Sequence, residues 1–107
     1  MVKIETIDSS TKIESIYYDN DKNKGFISAK KESNTCYSLK EYSIDKLEFD
    51  ELDGLFRALL NALLLKNIIW FKTEELIPLK KEVYSYNNGT IQIHISSFFD
   101  NMGCRGE

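Results

Sequence analysis

Six carboxylates between residues 41 and 53 are the densest group of chemically capable side chains in this sequence. Neighbouring carboxylates such as Asp50, Glu51 and Asp53 could hold magnesium for a nuclease, but that chemistry also needs a nearby lysine or histidine and a carboxylate from another strand. A structural interpretation needs less, because acidic side chains stabilise the positive end of a helix dipole and Asp50 could cap a helix. We therefore predict no catalytic residue, no metal site and no cofactor. The six carboxylates are Glu41, Asp45, Glu48, Asp50, Glu51 and Asp53.

One histidine and two cysteines are the other candidates for nucleophilic or metal chemistry. His94 belongs to an alternating run, which predicts a position on the face of a sheet. Cys36 is predicted to be a small core residue of a strand, and Cys104 a free, exposed thiol in the tail. A zinc site needs paired ligand spacings, and a catalytic His–Cys pair needs close approach and a third group that orients the ring. The sequence predicts neither arrangement.

Length and charge limit the classes of protein that the chain could represent. Its 107 residues predict one domain with its own core, followed by a flexible tail from about residue 100. The 17 acidic residues outnumber the 14 lysines and arginines, which argues against a general binder of duplex DNA. The N-terminus does not read as a signal peptide, and no apolar run is long enough to span a membrane. A cytoplasmic location is therefore expected.

The elements that must position these side chains begin with a helix. Apolar residues recur at the spacing of one helical face after Leu52, which predicts an amphipathic helix from Asp50 to about Lys66. Its apolar stripe should form much of the core. The stripe consists of Leu52, Leu55, Phe56, Leu59, Leu60, Leu63 and Leu64.

Strands are predicted on both sides of this helix. Those before it cover residues 2–8, 12–19, 25–31 and 35–42, with a hairpin loop at 19–25. Residues 68–72 could be a buried strand or a continuation of the helix. A last hairpin over 82–96 should turn at Asn88-Gly89, with Tyr86 opposite Ile91 and Tyr84 opposite Ile93. The predicted fold class is α+β, a mainly antiparallel sheet in the order β-β-β-β-α-β-β packed on one long amphipathic helix at about residues 50–66.

The segment 10–19 has a hairpin-like alternation, and Tyr37 follows in a later strand. This pattern resembles the opening hairpin of the small KTSC domain family. The role of that family is poorly defined, so the resemblance implies no site residue.

The leading hypothesis for function uses the six carboxylates as a docking surface. Complementary charge would speed association with a basic partner such as a toxin, a nuclease or a nucleic-acid-handling complex. Tyr18 and Tyr42 are the predicted aromatic anchors of that surface. The chain is accordingly predicted to be a small non-enzymatic inhibitor of the toxin-immunity or phage anti-defence type. Since a helix start already explains Asp50, Glu51 and Asp53, the hypothesis depends mainly on Glu41, Asp45 and Glu48.

An alternative is a single-stranded nucleic-acid-binding module with an OB-like barrel. Aromatic and lysine side chains interleaved on strands can stack bases and contact phosphates. The residues that would do so are Tyr17, Tyr18, Lys22, Lys24, Phe26 and Lys30.

Overall fold

The structure, a computed structural model, describes residues 1–73, 85–87 and 90–101. Within those residues, seven strands form one sheet in the order β1-β2-β3-β4-β5-β7-β6. β4 and β5 are parallel, and every other neighbouring pair is antiparallel. The elements are β1 (Val2–Asp8), β2 (Lys12–Asp19), β3 (Lys22–Ser33), β4 (Cys36–Ser43), α1 (Phe49–Leu65), β5 (Trp70–Thr73), β6 (Ser85–Asn87), β7 (Thr90–His94) and α2 (Ile95–Asn101). The predicted α+β class is confirmed, and the element order roughly matches: three described strands instead of two follow α1, and α2 is a second helix beside the one long helix predicted.

The start of α1 differs from the prediction by two residues. Glu48, not Asp50, is the N-cap, and it forms a capping box with Glu51. The Glu48 carboxylate accepts the Glu51 backbone amide, while Glu51 Oε1 accepts the Glu48 amide at 2.9 Å. This reciprocal pairing satisfies two backbone amides, whereas a lone aspartate cap would satisfy one. The second bond explains the earlier start of the helix.

The β2–β3 hairpin is tighter than predicted. Asn20 and Asp21 have φ values of 55° and 67°, as a two-residue type I′ turn requires. β3 therefore starts at Lys22, and the expected loop through residue 25 is wrong. Tyr17 pairs with Gly25 but Tyr18 pairs with Asn23, so Lys24 is the extra residue of a β-bulge.

The chain after α1 resolves the alternatives left by the sequence. Residues 68–72 do not continue the helix, because the strand β5 begins at Trp70. Tyr86 lies opposite Ile91, as predicted, whereas Tyr84 lies outside the described residues. The expected strand to residue 96 is wrong, since α2 begins at Ile95. The tail after residue 101 also lies outside the described residues.

The core lies between α1 and one face of the sheet. The Phe56 ring of α1 makes edge-on contacts with Phe71 at 5.6 Å and with Phe98 at 6.2 Å between centroids. Such pairs add about 0.5–1.5 kcal/mol each beyond the area they bury. Neither α1 nor α2, the helices of the described residues, is long and apolar enough to cross a membrane. Of the predicted apolar stripe, Leu52, Leu55, Phe56, Leu59, Leu60 and Leu63 are buried and Leu64 is half-buried.

At Gly25, β3 comes close to the end of β4 and to the connection that leads into α1. A Cβ atom there would stand 2.7 Å from the Ser43 carbonyl oxygen and 2.8 Å from Leu47 Cδ1. We expect Gly25→Ala to lower the free energy of unfolding by about 1–3 kcal/mol, because a backbone oxygen must move to admit the methyl group. Urea unfolding followed by circular dichroism measures this change.

Gly54→Ala is the matched control, with the opposite expected sign. A Cβ atom there meets only Ile4 Cδ1, at the ordinary contact distance of 3.8 Å. Alanine in a helix should raise the free energy of unfolding by roughly 0.5–1 kcal/mol. A Gly25→Ala protein as stable as the wild type would contradict the tight packing of the β4–α1 connection.

Candidate functional site

The described pairing between the parallel strands β4 and β5 consists of three residue pairs. Cys36 pairs with Trp70 and Ser38 with Lys72, and there the pairing ends. β4 itself continues to Ser43. Crevices at the carboxyl ends of parallel strands are where α/β sheets generally bind ligands. The end of β4, the end of β5 and the first turn of α1 together form the candidate cleft.

A β-bulge in β4 lies where the two strands separate. Ala29 pairs with Leu39 and Ser28 with Glu41, so Lys40 is the extra residue. The fully buried Ser28 hydroxyl donates to the Glu41 carbonyl oxygen at 3.2 Å and accepts from the Glu41 amide at 3.1 Å. A bulge bends its strand and ends regular pairing, and we attribute the separation of β4 from β5 to this bend.

Glu51 joins the first turn of α1 to two strands. Its carboxylate accepts hydrogen bonds from Lys24 Nζ at 2.9 and 3.0 Å and from the Tyr17 hydroxyl at 3.4 Å. The bulge of β3 directs Lys24 to this position. The Glu48 amide and then Lys24 lower the pKa of Glu51, while the bond to Glu51 raises the pKa of Lys24. Burial, followed by the charge of Glu51, raises the pKa of Tyr17.

The predicted docking carboxylates divide by their surroundings. Glu51 belongs to the cluster with Lys24, and Asp53 lies 3.0 Å from Arg57 Nε in an ion pair one turn along α1. The other four are exposed at the end of β4, in the connection and in the first turn of α1. Those four are Glu41, Asp45, Glu48 and Asp50.

The two predicted aromatic anchors lie in different environments. Tyr42, on β4 beside the exposed carboxylates, is 38% exposed. Tyr18 is next to Tyr17 on β2, so it faces away from α1, where the Lys3 ammonium lies 5.9 Å from its ring. Of the two tyrosines, only Tyr42 is a sequence neighbour of one of the exposed carboxylates, Glu41.

Cys36 and His94 do not form a catalytic pair. Each lies beside Trp70, Cys36 on β4 and His94 on β7, so two strand spacings, about 10 Å, separate them. Cys36 is buried, as predicted, and burial raises the pKa of its thiol. His94 lies on a strand of the sheet, as predicted. Its ring meets the Trp70 ring edge-on, with 5.0 Å between the ring centres. Cys104 lies outside the described residues.

The site also uses residues that the sequence did not single out for these roles. Ser28 and Gly25 both lie in β3, and their partners are distant in the chain. Ser28 bonds to Glu41, thirteen positions away, and Gly25 lies against Ser43 and Leu47, which are farther still. An internal glycine in a strand pattern is the one sequence signal that could have pointed to a bulge or a close approach here. Ser28 carries no comparable signal, because a serine in a strand is ordinary.

Two solved enzyme structures share this fold. No protein-family model matches the chain, and no curated protein matches it. The aminoglycoside 6'-N-acetyltransferase from Enterococcus faecium has a TM-score of 0.52 and 14% identity, over 89% of this chain and 62% of that one. An aminoglycoside 6'-acetyltransferase type Ii has a TM-score of 0.52 and 19% identity, over 89% of this chain and 56% of that one. The chain thus spans less than two thirds of either enzyme, and likeness at these identities shows the fold alone.

This similarity overturns the functional interpretation of the sequence. The fold is one that acetyltransferases use, so the prediction of a non-enzymatic inhibitor of the immunity or anti-defence type is wrong. The OB-like alternative is also wrong, because the described strands form an open sheet with a parallel pair rather than a barrel. Contact of the carboxylates and Tyr18 or Tyr42 with a basic protein stays a prediction.

Ser28→Ala tests the bulge. Removing the hydroxyl leaves the buried amide and carbonyl of Glu41 without their partner, which should lower the free energy of unfolding by about 1–3 kcal/mol. Hydrogen exchange at the Glu41 amide should also become faster. Ser10→Ala, at an exposed position of the β1–β2 turn, is the control and should change neither quantity appreciably. Unchanged exchange at Glu41 in the Ser28 variant would rule out the proposed bond.

Glu51→Gln tests the charged cluster through its pH dependence. Glutamine can still complete a capping box, but it cannot form an ion pair with Lys24. Since the folded-state pKa of Glu51 is lowered, its stabilisation is present above about pH 4.3 and is lost as the pH falls through the folded value. The wild type should therefore be more stable than the variant at neutral pH, and the difference should shrink in acid. Urea midpoints between roughly pH 3 and pH 7 measure this difference, with Glu5→Gln as an exposed control.

A difference between wild type and Glu51→Gln that persists unchanged into acid would contradict the ion pair. The same result in Glu5→Gln would assign the effect to net charge instead. Lys24→Met should remove part of the pH-dependent difference, because it deletes the cationic partner while the Glu48 amide still lowers the pKa of Glu51.

Proposed function

We propose that this chain is an N-acyltransferase module that acylates a primary amine in the cleft between β4 and β5. The observation that carries the proposal is the parallel β4–α1–β5 unit, which opens at the Lys40 bulge within a fold shared with two acetyltransferases. The cytoplasmic location expected from the sequence suits an enzyme of small molecules.

The end of β4 offers hydrogen-bonding groups to an extended substrate. The described pairing of β4 with β5 stops at Ser38, and β4 continues from Leu39 to Ser43. Backbone amides and carbonyls there could align an acyl group and its carrier arm as an added strand would be aligned. The Ser28 bonds fix this part of β4 from the opposite side, through the backbone of Glu41.

The charge around the cleft favours a cationic acceptor. Glu41, Asp45, Glu48 and Asp50 are exposed along the end of β4 and the start of α1. Both similar enzymes act on aminoglycosides, as their names state. An acceptor with several ammonium groups would be attracted here, and this attraction should weaken with salt.

The reaction needs no oxidant or reductant. The acceptor nitrogen attacks the thioester carbonyl, a C–N bond forms and the C–S bond breaks. The nitrogen loses a proton and the carrier leaves as a thiol. The contribution expected of the protein is alignment of the two reactants, which by itself can supply much of the rate enhancement.

A product assay tests this proposal. The purified chain is incubated with an acetyl thioester and, in separate reactions, an aminoglycoside, a linear polyamine or a peptide with a free amino terminus. Mass spectrometry of the acceptor should detect acetylated amine above the protein-free rate, most of all with a polycationic acceptor. Failure of every donor and acceptor pair with folded protein would refute the proposal.

Leu39→Trp locates the activity. Leu39 is half-buried on β4 where β5 ceases to pair, so a larger side chain there should obstruct the cleft and reduce product formation by about tenfold or more. Ile7→Trp places the same ring on an exposed position of the edge strand β1 and should leave the rate unchanged. Thermal unfolding of both variants confirms that any loss is not a loss of folding.

A further inference from the structure

The start of α1 is where a phosphorylated acyl carrier would be expected to place its phosphates. Free amides and the positive end of the dipole make helix starts at the carboxyl ends of strands common sites for phosphate. Acetyl-coenzyme A, the usual acetyl donor in acyl transfer, carries its thioester on an uncharged pantetheine arm and its phosphates beyond that arm. A chain that uses such a carrier should have residues at this helix start that suit phosphate.

Three amides at this helix start, those of Glu48, Glu51 and Leu52, are already engaged by the protein. The Glu51 amide donates to the Glu48 carboxylate, and the Leu52 amide donates to the Glu48 carbonyl oxygen at 2.9 Å. The Glu48 amide in turn donates to Glu51 Oε1 at 2.9 Å. A phosphate would have to displace a carboxylate to reach the Glu48 or Glu51 amide.

The β4–α1 connection also lacks the glycines that would let its backbone approach a phosphate closely. Phosphate-binding turns depend on glycines, which let the chain approach the oxygens. No glycine occurs between Gly25 and Gly54, an interval that includes the whole β4–α1 connection. The connection instead closes on itself, with the Leu47 amide bonded to the Ile44 carbonyl oxygen at 3.1 Å.

The local charge has the wrong sign for phosphate. Residues 45–51 contain four carboxylates and one cation, Lys46. Lys24, which also reaches this turn, is held by Glu51 at 2.9 Å. Glu48 and Asp50 are exposed and would face an incoming anion.

We infer that the carboxylates at the start of α1 exclude phosphate, so that the acyl donor of this chain is recognised through an uncharged thioester arm. The capping box and the acidic first turn do not fit the phosphates of coenzyme A. The existence of a donor rests on the proposed function, whereas the exclusion of phosphate is a property of α1 that binding measures without any reaction.

Calorimetric titration of the full chain with S-acetyl-pantetheine, acetyl-coenzyme A and inorganic pyrophosphate tests the inference. The first two share the acetyl group and arm and differ in the phosphorylated nucleotide. Acetyl-coenzyme A should bind no more tightly than S-acetyl-pantetheine, and pyrophosphate should not bind. A preference of about tenfold or more for acetyl-coenzyme A that weakens with salt would overturn the inference, since it would reveal a favourable phosphate contact.

A charge-neutral variant shows whether the carboxylates are the cause. Glu48→Gln with Asp50→Asn keeps an acceptor at the N-cap and leaves the Glu51–Lys24 pair intact. Affinity for acetyl-coenzyme A should rise by about tenfold while that for S-acetyl-pantetheine stays constant, because only the former carries charge. Glu5→Gln with Glu14→Gln makes the same change of net charge on the sheet face away from α1 and should alter neither affinity.

The outcomes separate this inference from the proposed function. If neither thioester binds the wild type, recognition of an uncharged arm is wrong, and the gain in the neutral variant still decides whether carboxylates exclude phosphate. No gain in that variant refutes the exclusion. Tight binding without acetylated product would instead refute the proposed function and leave the inference intact.

Discussion

Parallel pairing of β4 with β5 is the constraint on which the rest of the structure depends. Two parallel neighbours cannot be joined by a tight turn, so the chain must cross from the end of one to the start of the other. α1, with 17 residues, makes that crossing and places its apolar face on the sheet. The same crossing brings the first turn of α1 to the carboxyl end of β4, where the strands separate. The core and the candidate cleft are thus consequences of one connection.

Polar contacts fasten the two ends of that connection. At the start, Glu51 contacts β2 through Tyr17 and β3 through Lys24. At the end, Lys66 Nζ lies 2.7 Å from Asp8 Oδ1 of β1 and 5.6 Å from the centre of the Tyr37 ring. Exposed pairs of this kind contribute little stability individually. Their positions instead set how α1 lies along the sheet, while the buried leucine and phenylalanine side chains supply most of the free energy.

The cleft combines a shared architecture with an individual chemistry. Its strand order and split parallel pair occur within a fold that aminoglycoside acetyltransferases also have. The carboxylates at the helix start depart from what a phosphate-bearing ligand requires, because they are negatively charged and the Glu48 and Glu51 side chains accept each other's backbone amides. Backbone pairing fixes the fold, whereas a few exposed side chains decide which ligand binds at the cleft. The ligand can therefore change while the fold is kept.

The sequence by itself determined α1, the first four strands and the class of fold. A 3.6-residue apolar period such as that of Leu52, Leu55 and Phe56 can be satisfied only by burying one helical face, so local pattern and packing agree. Only the tertiary structure decided that β4 lies parallel to β5. It also decided that Lys40 forms a bulge next to the Ser28 hydrogen bonds, and that the absence of a side chain at Gly25 leaves room for Ser43 and Leu47. These features join residues far apart in the chain, and pairing between distant strand edges is chosen by the whole sheet rather than by any local period.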